Sequence, residues 1–251
     1  MSKIAFIIGA GPRIGWAVAT KLLSEGYLVA IGSRTPDVAR AKSHNVLPVS
    51  VDVTKIESVQ NTFTEVKQNL GVPNVVVFYP SLFEARKKCI KLTPPPPLAA
   101  ALTFPPTPRD PLSILLETFY NDTLINAIGP YTSLREAVLG FKSLSSADVP
   151  TVFIQTGNIT PLMDPMEVAL TLAAGQRALL YALQVTVKEY GKEGFRFYFA
   201  SQVTADGAPV PYPDIVADAH GTAYWDLINR KEQGPWDVRF REDGREIVAS
   251  T

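Results

Sequence analysis

The chain holds one cysteine, Cys89, and two histidines, His44 and His220, in 251 residues. A single thiol closes no internal disulfide and builds no multi-thiolate metal site, and two imidazoles are too few for a histidine-rich centre. No metal is expected, and a reducing, cytoplasmic setting fits best. Net charge is missing as well: 24 Lys and Arg stand against 24 Asp and Glu. Without a basic field, neither nucleic acid nor an anionic membrane surface is an expected partner. Long hydrophobic runs are also lacking, because Ile4-Ala5-Phe6-Ile7-Ile8 stops at Gly9, far short of the roughly 18 apolar residues that span a bilayer. No membrane span and no targeting segment are expected.

Proline is plentiful, at 21 residues, and eight of these fall within Pro94–Pro111. Around that segment the chain alternates short apolar runs with helical spacing. Strands are expected at Ile4–Ile8, Leu28–Ile31, Leu47–Val51 and Asn74–Phe78, with helices from Trp16, Asp37 and Ile56 between them. Such βα alternation predicts an α/β fold, a doubly wound parallel sheet in a single domain spanning residues 1–251. The four consecutive prolines Pro94–Pro97 cannot lie in a helix interior or a central strand, so 81–112 reads as a Pro-rich insertion after the fourth strand, running over the surface. A long helix is expected from Ser113 to Leu144 with an interruption at Gly129-Pro130. Strand Thr151–Gln155, helix Val168–Tyr190, strand Phe195–Ala200, helix Ile215–Asn229 and an extended piece at Trp236–Phe240 complete the pattern. Residues 201–251 are expected to form a substrate lid and tail.

Gly9-x-Gly11-x-x-x-Gly15 sits between the first strand and the first helix. Glycines there permit a tight bend and let backbone N–H groups approach a pyrophosphate at a helix N-terminus. Gly9, Gly11, Pro12, Arg13 and Ile14 are therefore candidate dinucleotide ligands. The end of the second strand selects the cofactor: a carboxylate there would bind a ribose 2′-hydroxyl, whereas this chain has Ser33 and Arg34, whose hydroxyl and guanidinium suit a 2′-phosphate. NADP(H) is the expected cofactor.

With these motifs in place, the chain resembles the short-chain dehydrogenase/reductase family over essentially its whole length. Ile8-Gly9-Ala10-Gly11-Pro12-Arg13-Ile14-Gly15 is similar to the family's T-G-x-x-x-G-x-G, with Arg13 replacing the middle glycine. Asp52-Val53-Thr54 resembles its adenine-holding D-V-T, and Asn126-Ala127-Ile128-Gly129 its N-x-x-G. Lys188-Glu189 and Gly194-Phe195-Arg196-Phe197 resemble the K-E and G-I-R-V that bracket the entry to its sixth strand. The resemblance implies a Rossmann-type fold, a nicotinamide cofactor and pairing of two long helices into a homo-oligomer, a dimer or tetramer. It also implies roles by position: Asp52, Val53, Tyr79, Pro80, Gln176 and Val203 toward the cofactor, and Thr156 and Asn126 as the matches of the catalytic serine and asparagine. Counting back from Gly194 places Leu172 and Gln176 where the family has its Y-x-x-x-K, so the proton-donating tyrosine and its lysine are absent.

That loss has a chemical meaning. Hydride delivery to a ketone leaves an alkoxide needing a proton, whereas an iminium ion becomes a neutral amine and needs none. A carboxylate would serve a cationic substrate, and Asp164, in Pro161-Leu162-Met163-Asp164-Pro165-Met166, is expected in an apolar, partly dry loop at the crevice. Tyr79, Met163, Tyr224, Trp225 and Trp236 are among the aromatic and sulfur side chains expected to line a pocket for a bulky apolar small molecule. The missing pair together with Asp164 resembles the bifunctional reductase/Diels–Alderases of prenylated indole alkaloid pathways. Two alternatives stand beside this reading. One is a non-catalytic NADP(H)-binding sensor or scaffold; the other is a carbonyl reductase using a displaced tyrosine acid, Tyr79 or Tyr181.

Overall fold

The computed structural model describes residues 2–79, 101–144, 149–211 and 214–247. Seven strands form one parallel sheet: β1 (Ile4–Ile8), β2 (Leu28–Ser33), β3 (Leu47–Ser50), β4 (Val75–Phe78), β5 (Val152–Thr156), β6 (Arg196–Gln202) and β7 (Asp237–Phe240), in the spatial order β3-β2-β1-β4-β5-β6-β7. The chain winds outward from β1 to β3, then returns past β1 to start β4. That reversal opens the crevice between β1 and β4 where ligands of such sheets bind.

Strand alternation assigns each face its layer. Ala5, Ile7, Val29, Ile31, Val152 and Ile154 point toward helices α1 (Ile14–Ser24), α2 (Val38–Ser43) and α7 (Ala217–Ile228). Their neighbours Phe6, Ile8, Phe78, Phe153, Phe197 and Phe199 point toward α3 (Ile56–Asn69), α5 (Gly129–Lys142) and α6 (Leu170–Tyr190). Strands buried on both faces read as unbroken apolar runs, as β1 and β4 do. Each phenylalanine fully removed from water contributes about 1.5–3 kcal/mol before entropy is charged. By length and composition alone, the stretch around α6 could cross a membrane. Here its Leu172, Leu179, Leu180 and Leu183 are buried inside the protein.

Three expectations are corrected. The long helix starts later, at α4 (Leu116–Thr123), because Ile114 and Leu115 are extended. It is not interrupted at Gly129-Pro130: a π turn at Leu124–Ile128 leads straight into α5, and Pro130 falls in the first turn, where its missing N–H costs little. The Pro-rich insertion does not stay wholly on the surface. Residues 80–100, including the four-proline run, lie outside the described residues, but Ala101 and Leu102 are buried, and Leu102 packs with Ala169 and Leu172 at the start of α6.

Candidate active site

The turn after β1 is built by its glycines and latched to β2. Gly9 adopts φ 81°, and the N–H groups of Gly9 and Ala10 both donate to the Gly32 carbonyl, at 2.8 and 2.9 Å. A Cβ on Gly15 would meet the Ala10 Cα at 2.5 Å, so only glycine lets α1 seat against the turn. Beside it lies a cleft of about 260 Å³ lined by Gly9, Gly11, Pro12, Ser33, Arg34, Asp52 and Val53, together with Trp16, Thr35, Arg40 and Ile125. Asp52 is held in place by the Thr54 N–H and hydroxyl, at 3.1 and 2.7 Å. Burial pushes its carboxyl upward, but those hydrogen bonds, with Lys55 and Arg34, outweigh burial and keep it below the usual carboxylate range.

Seven of the sequence-predicted cofactor residues therefore meet in one cleft. The others do not line it. Ile14, Tyr79, Gln176 and Val203 are buried in the protein, and Pro80 lies outside the described residues. Arg13 extends to the Ile215 carbonyl at 2.7 Å, tying the turn to the segment before α7 rather than presenting its guanidinium to the cleft. Sequence reasoning missed Arg40, whose guanidinium lies 4.1 Å from the Trp16 ring centre on the cleft wall. Its signal was faint, a cation six residues past Arg34 on a short helix.

The far end of the crevice is different in kind. Thr156 ends β5 buried, and its Oγ1 accepts a 2.7 Å hydrogen bond from the hydroxyl of Tyr224 on α7. Burial pushes that hydroxyl far above the ordinary tyrosine range, with Tyr79 adding to the effect and Thr156 opposing it. Asn126 sits in the π turn, also buried, and its Nδ2 donates to the Ala101 carbonyl at 2.6 Å. Asp164 does not share this interior. It is exposed between two short 3-10 turns, as is Met166, so the apolar, dry setting expected for it is not found. Arg177 explains the path of that loop, since its Nε and Nη2 hold the carbonyls of Pro161 and Met163 at 2.7 and 3.0 Å. The aromatic residues are corrected too. Tyr79 and Tyr224 belong to the core, and Trp225 and Trp236 pack against it rather than lining an open pocket.

A short chain dehydrogenase/reductase of Cryptosporiopsis sp., dmxR12, is 31% identical over 240 residues, covering 95% of this chain and 92% of the relative. The chain belongs to the short-chain dehydrogenase/reductase family. The family profile described as short chain dehydrogenase matches residues 3–79, the first part of the chain, which carries the glycine turn. A 3-oxoacyl-[acyl-carrier-protein] reductase of Bos taurus is 40% identical, over 81 residues and 31% of this chain. Among solved structures, a 3-oxoacyl-[acyl-carrier protein] reductase of Brucella melitensis superposes with TM-score 0.73, at 14% identity over 97% of this chain and 96% of that one. ElxO with NADP bound gives 0.71 at 14% identity, covering 96% and 98% of the two chains. These likenesses show the fold, and the family membership makes the chain an oxidoreductase of nicotinamide-dependent type. No Tyr-x-x-x-Lys spacing occurs anywhere in the sequence.

Proposed function

We propose that the chain is an NADP(H)-dependent reductase of a bulky, preformed iminium-type substrate. The observation that carries this reading is the character of α6: positions 172 and 176 hold buried Leu and Gln, so the helix that would present a proton donor offers none there. When bound, the nicotinamide supplies the hydride. An iminium carbon that accepts it leaves a neutral amine, and no acid is required.

The residues divide the work. Ser33 and Arg34 bind the 2′-phosphate, with the Arg34 fork giving charge-assisted hydrogen bonds. Asp52 and Val53 hold the adenine end. Thr156 and Asn126 orient the substrate, Asp164 balances its positive charge from the loop after β5, and an uncharged interior suits an apolar polycycle. A pocket that grips such an amine after reduction also limits its conformers, so it would steer a following cyclisation of Diels–Alder type in alkaloid assembly. The exposed apolar side chains Leu116 and Tyr120 on α4 and Tyr181 and Val185 on α6 support association of these helices with a second copy.

NADPH oxidation tests the reading. Cyclic imines should be reduced and plain ketones of the same ring size should not; ketone turnover that depends on Tyr79 would replace this reading with a displaced-acid carbonyl reductase. Asp164→Ala should lower imine turnover while leaving NADPH binding intact, and unchanged turnover removes Asp164 from the mechanism. The buried state of Thr156 and Asn126 favours one second reading, a non-catalytic NADP(H) sensor. Tight NADPH binding with no oxidation by any imine or activated carbonyl would establish it.

A further inference from the structure

Four buried side-chain atoms without a hydrogen-bond partner among the described residues are Asn126 Oδ1, Gln155 Oε1, Gln176 Oε1 and Ser201 Oγ. All four residues are at most 1% exposed. A buried oxygen that has lost water and gained nothing is costly, so a native interior rarely keeps several unless something else satisfies them.

The fold places these four on the same face of the sheet, at the same end. Gln155 is one strand step beyond Phe153, and Ser201 one step beyond Phe199; both phenylalanines belong to the core under α5 and α6. Gln155 is registered between Phe78 on β4 and Phe199 on β6, near the carboxyl ends of the strands. Asn126 and Gln176 come from the helical layer above. That layer is tight here, because a Cβ on Gly175 would stand 2.6 Å from the Cβ of Asn126.

The polarity of the group is one-sided. Asn126 Nδ2 donates to the Ala101 carbonyl and Gln155 Nε2 to the Thr156 carbonyl, at 2.6 and 3.0 Å. These bonds fix both amides, so the partnerless atoms are carbonyl oxygens that only accept. Gln176 adds a third such oxygen, and of the four partnerless atoms Ser201 Oγ alone can also donate. No ionised group stands among the four. A ketone oxygen brought here would meet mainly acceptors, whereas an N–H group on a cationic nitrogen would satisfy them.

We propose that Asn126, Gln155 and Gln176 form an acceptor site for a hydrogen-bond-donating cationic nitrogen, a protonated imine or the secondary ammonium ion formed from it, and that this site selects against neutral ketones. It is the substrate site of the reductase proposed above and rests on that reading. Gln155 and Ser201 thereby join the site. Access requires the cover over Asn126 to move aside. That cover is the segment Ala101–Phe104, held by the Ala101 carbonyl, which accepts from Asn126 Nδ2, and by Thr103, whose N–H donates to Thr171 Oγ1 and whose hydroxyl donates to Asp122 Oδ2.

The test is calorimetric titration of the full-length protein, first with NADP+ alone and then, in its presence, with three probes of one shape: tetrahydroisoquinolinium, its N,N-dimethyl quaternary salt and tetralone. The secondary ammonium ion should bind about tenfold or more tighter than both others, because only it carries N–H donors. Gln155→Met and Gln176→Met keep the side-chain length and remove the acceptor. Each should weaken ammonium binding about tenfold, with NADP+ affinity and melting temperature held. Equal binding of the three probes, or no effect of either variant, overturns the proposal. So does a loss of NADP+ affinity in the two variants, which would assign the oxygens to the cofactor's ribose hydroxyls. Failure of the wild-type protein to bind NADP+ would instead overturn the reductase reading, and the two failures are read in separate titrations.

Discussion

The two ends of the crevice follow opposite rules. Around the ends of β1–β3, glycine, cations and a fixed carboxylate surround an open cleft, with Arg34 and Arg40 on its wall. Around the ends of β4–β6, the side chains are neutral amides, hydroxyls and rings, buried and packed. A phosphate-bearing ligand must be met by charge and backbone N–H groups accessible to solvent, and such groups tolerate little burial. The other end is built mainly of neutral groups and is closed, and its buried carboxyl, Asp122, accepts from the Thr103 hydroxyl at 2.7 Å. The difference shows that one sheet can present an open, charged end and a closed, largely neutral one, each set by what its strand ends and helices pack against.

The two ends are joined through the interior. Arg13 leaves the glycine turn for the Ile215 carbonyl; His220, one turn into α7, lies 5.8 Å from the Tyr224 ring, and Tyr224 bonds Thr156. Variants along this line and on either side of it sharpen the contrast.

The largest effect is expected at the glycine turn. Gly15→Val forces side-chain atoms onto the Ala10 backbone, and should cost on the order of 3 kcal/mol or more, a loss of over about a hundredfold in NADP+ affinity by calorimetry. Retained affinity would mean that the open end does not depend on the turn.

Next comes acid stability. Burial, aided by Arg13 and opposed by the Val216 carbonyl, lowers the His220 pKa from 6.5 to about 4. As pH falls below 6.5, the unfolded chain takes up a proton that the folded chain refuses, so stability drops until about 4. The whole contribution is roughly 3 kcal/mol. Urea midpoints measured across that window should fall for the native protein and stay flatter for His220→Asn.

Arg34→Ala should weaken binding of 2′-phospho-ADP-ribose by about 1.5–3 kcal/mol while leaving ADP-ribose nearly unchanged, since only the former carries the phosphate that the guanidinium meets. Equal losses for both ligands would break the assignment of charge to that end. The smallest effect is expected at the closed end. Tyr224→Phe removes one buried hydrogen bond and should lower unfolding stability by about 1 kcal/mol in urea titration. NADP+ affinity should not change.

Much of this organisation was legible in the sequence. Apolar runs spaced by helical segments announced the parallel sheet, and the glycine turn with Ser33, Arg34 and Asp52 announced the open cleft, because these signals are local: a turn, a strand end, a phosphate ligand. Arg40 escaped notice because its place depends on how α2 packs toward Trp16. Gln155 and Ser201 escaped for another reason. A glutamine near the end of one strand and a serine near the end of another carry no local signature.

Composition, strand–helix alternation and the glycine turn thus determined the class of fold, the family and the nucleotide end, since backbone conformation and hydrophobic periodicity are written residue by residue. Only the tertiary structure decided what the other end is made of. It buried Tyr79 and Tyr224, left Asp164 in solvent and gathered amides from the π turn before α5, from α6 and from β5 on one face. Burial and partnership belong to pairs of segments distant in sequence, and they come into being only when the sheet has closed and its helices have packed.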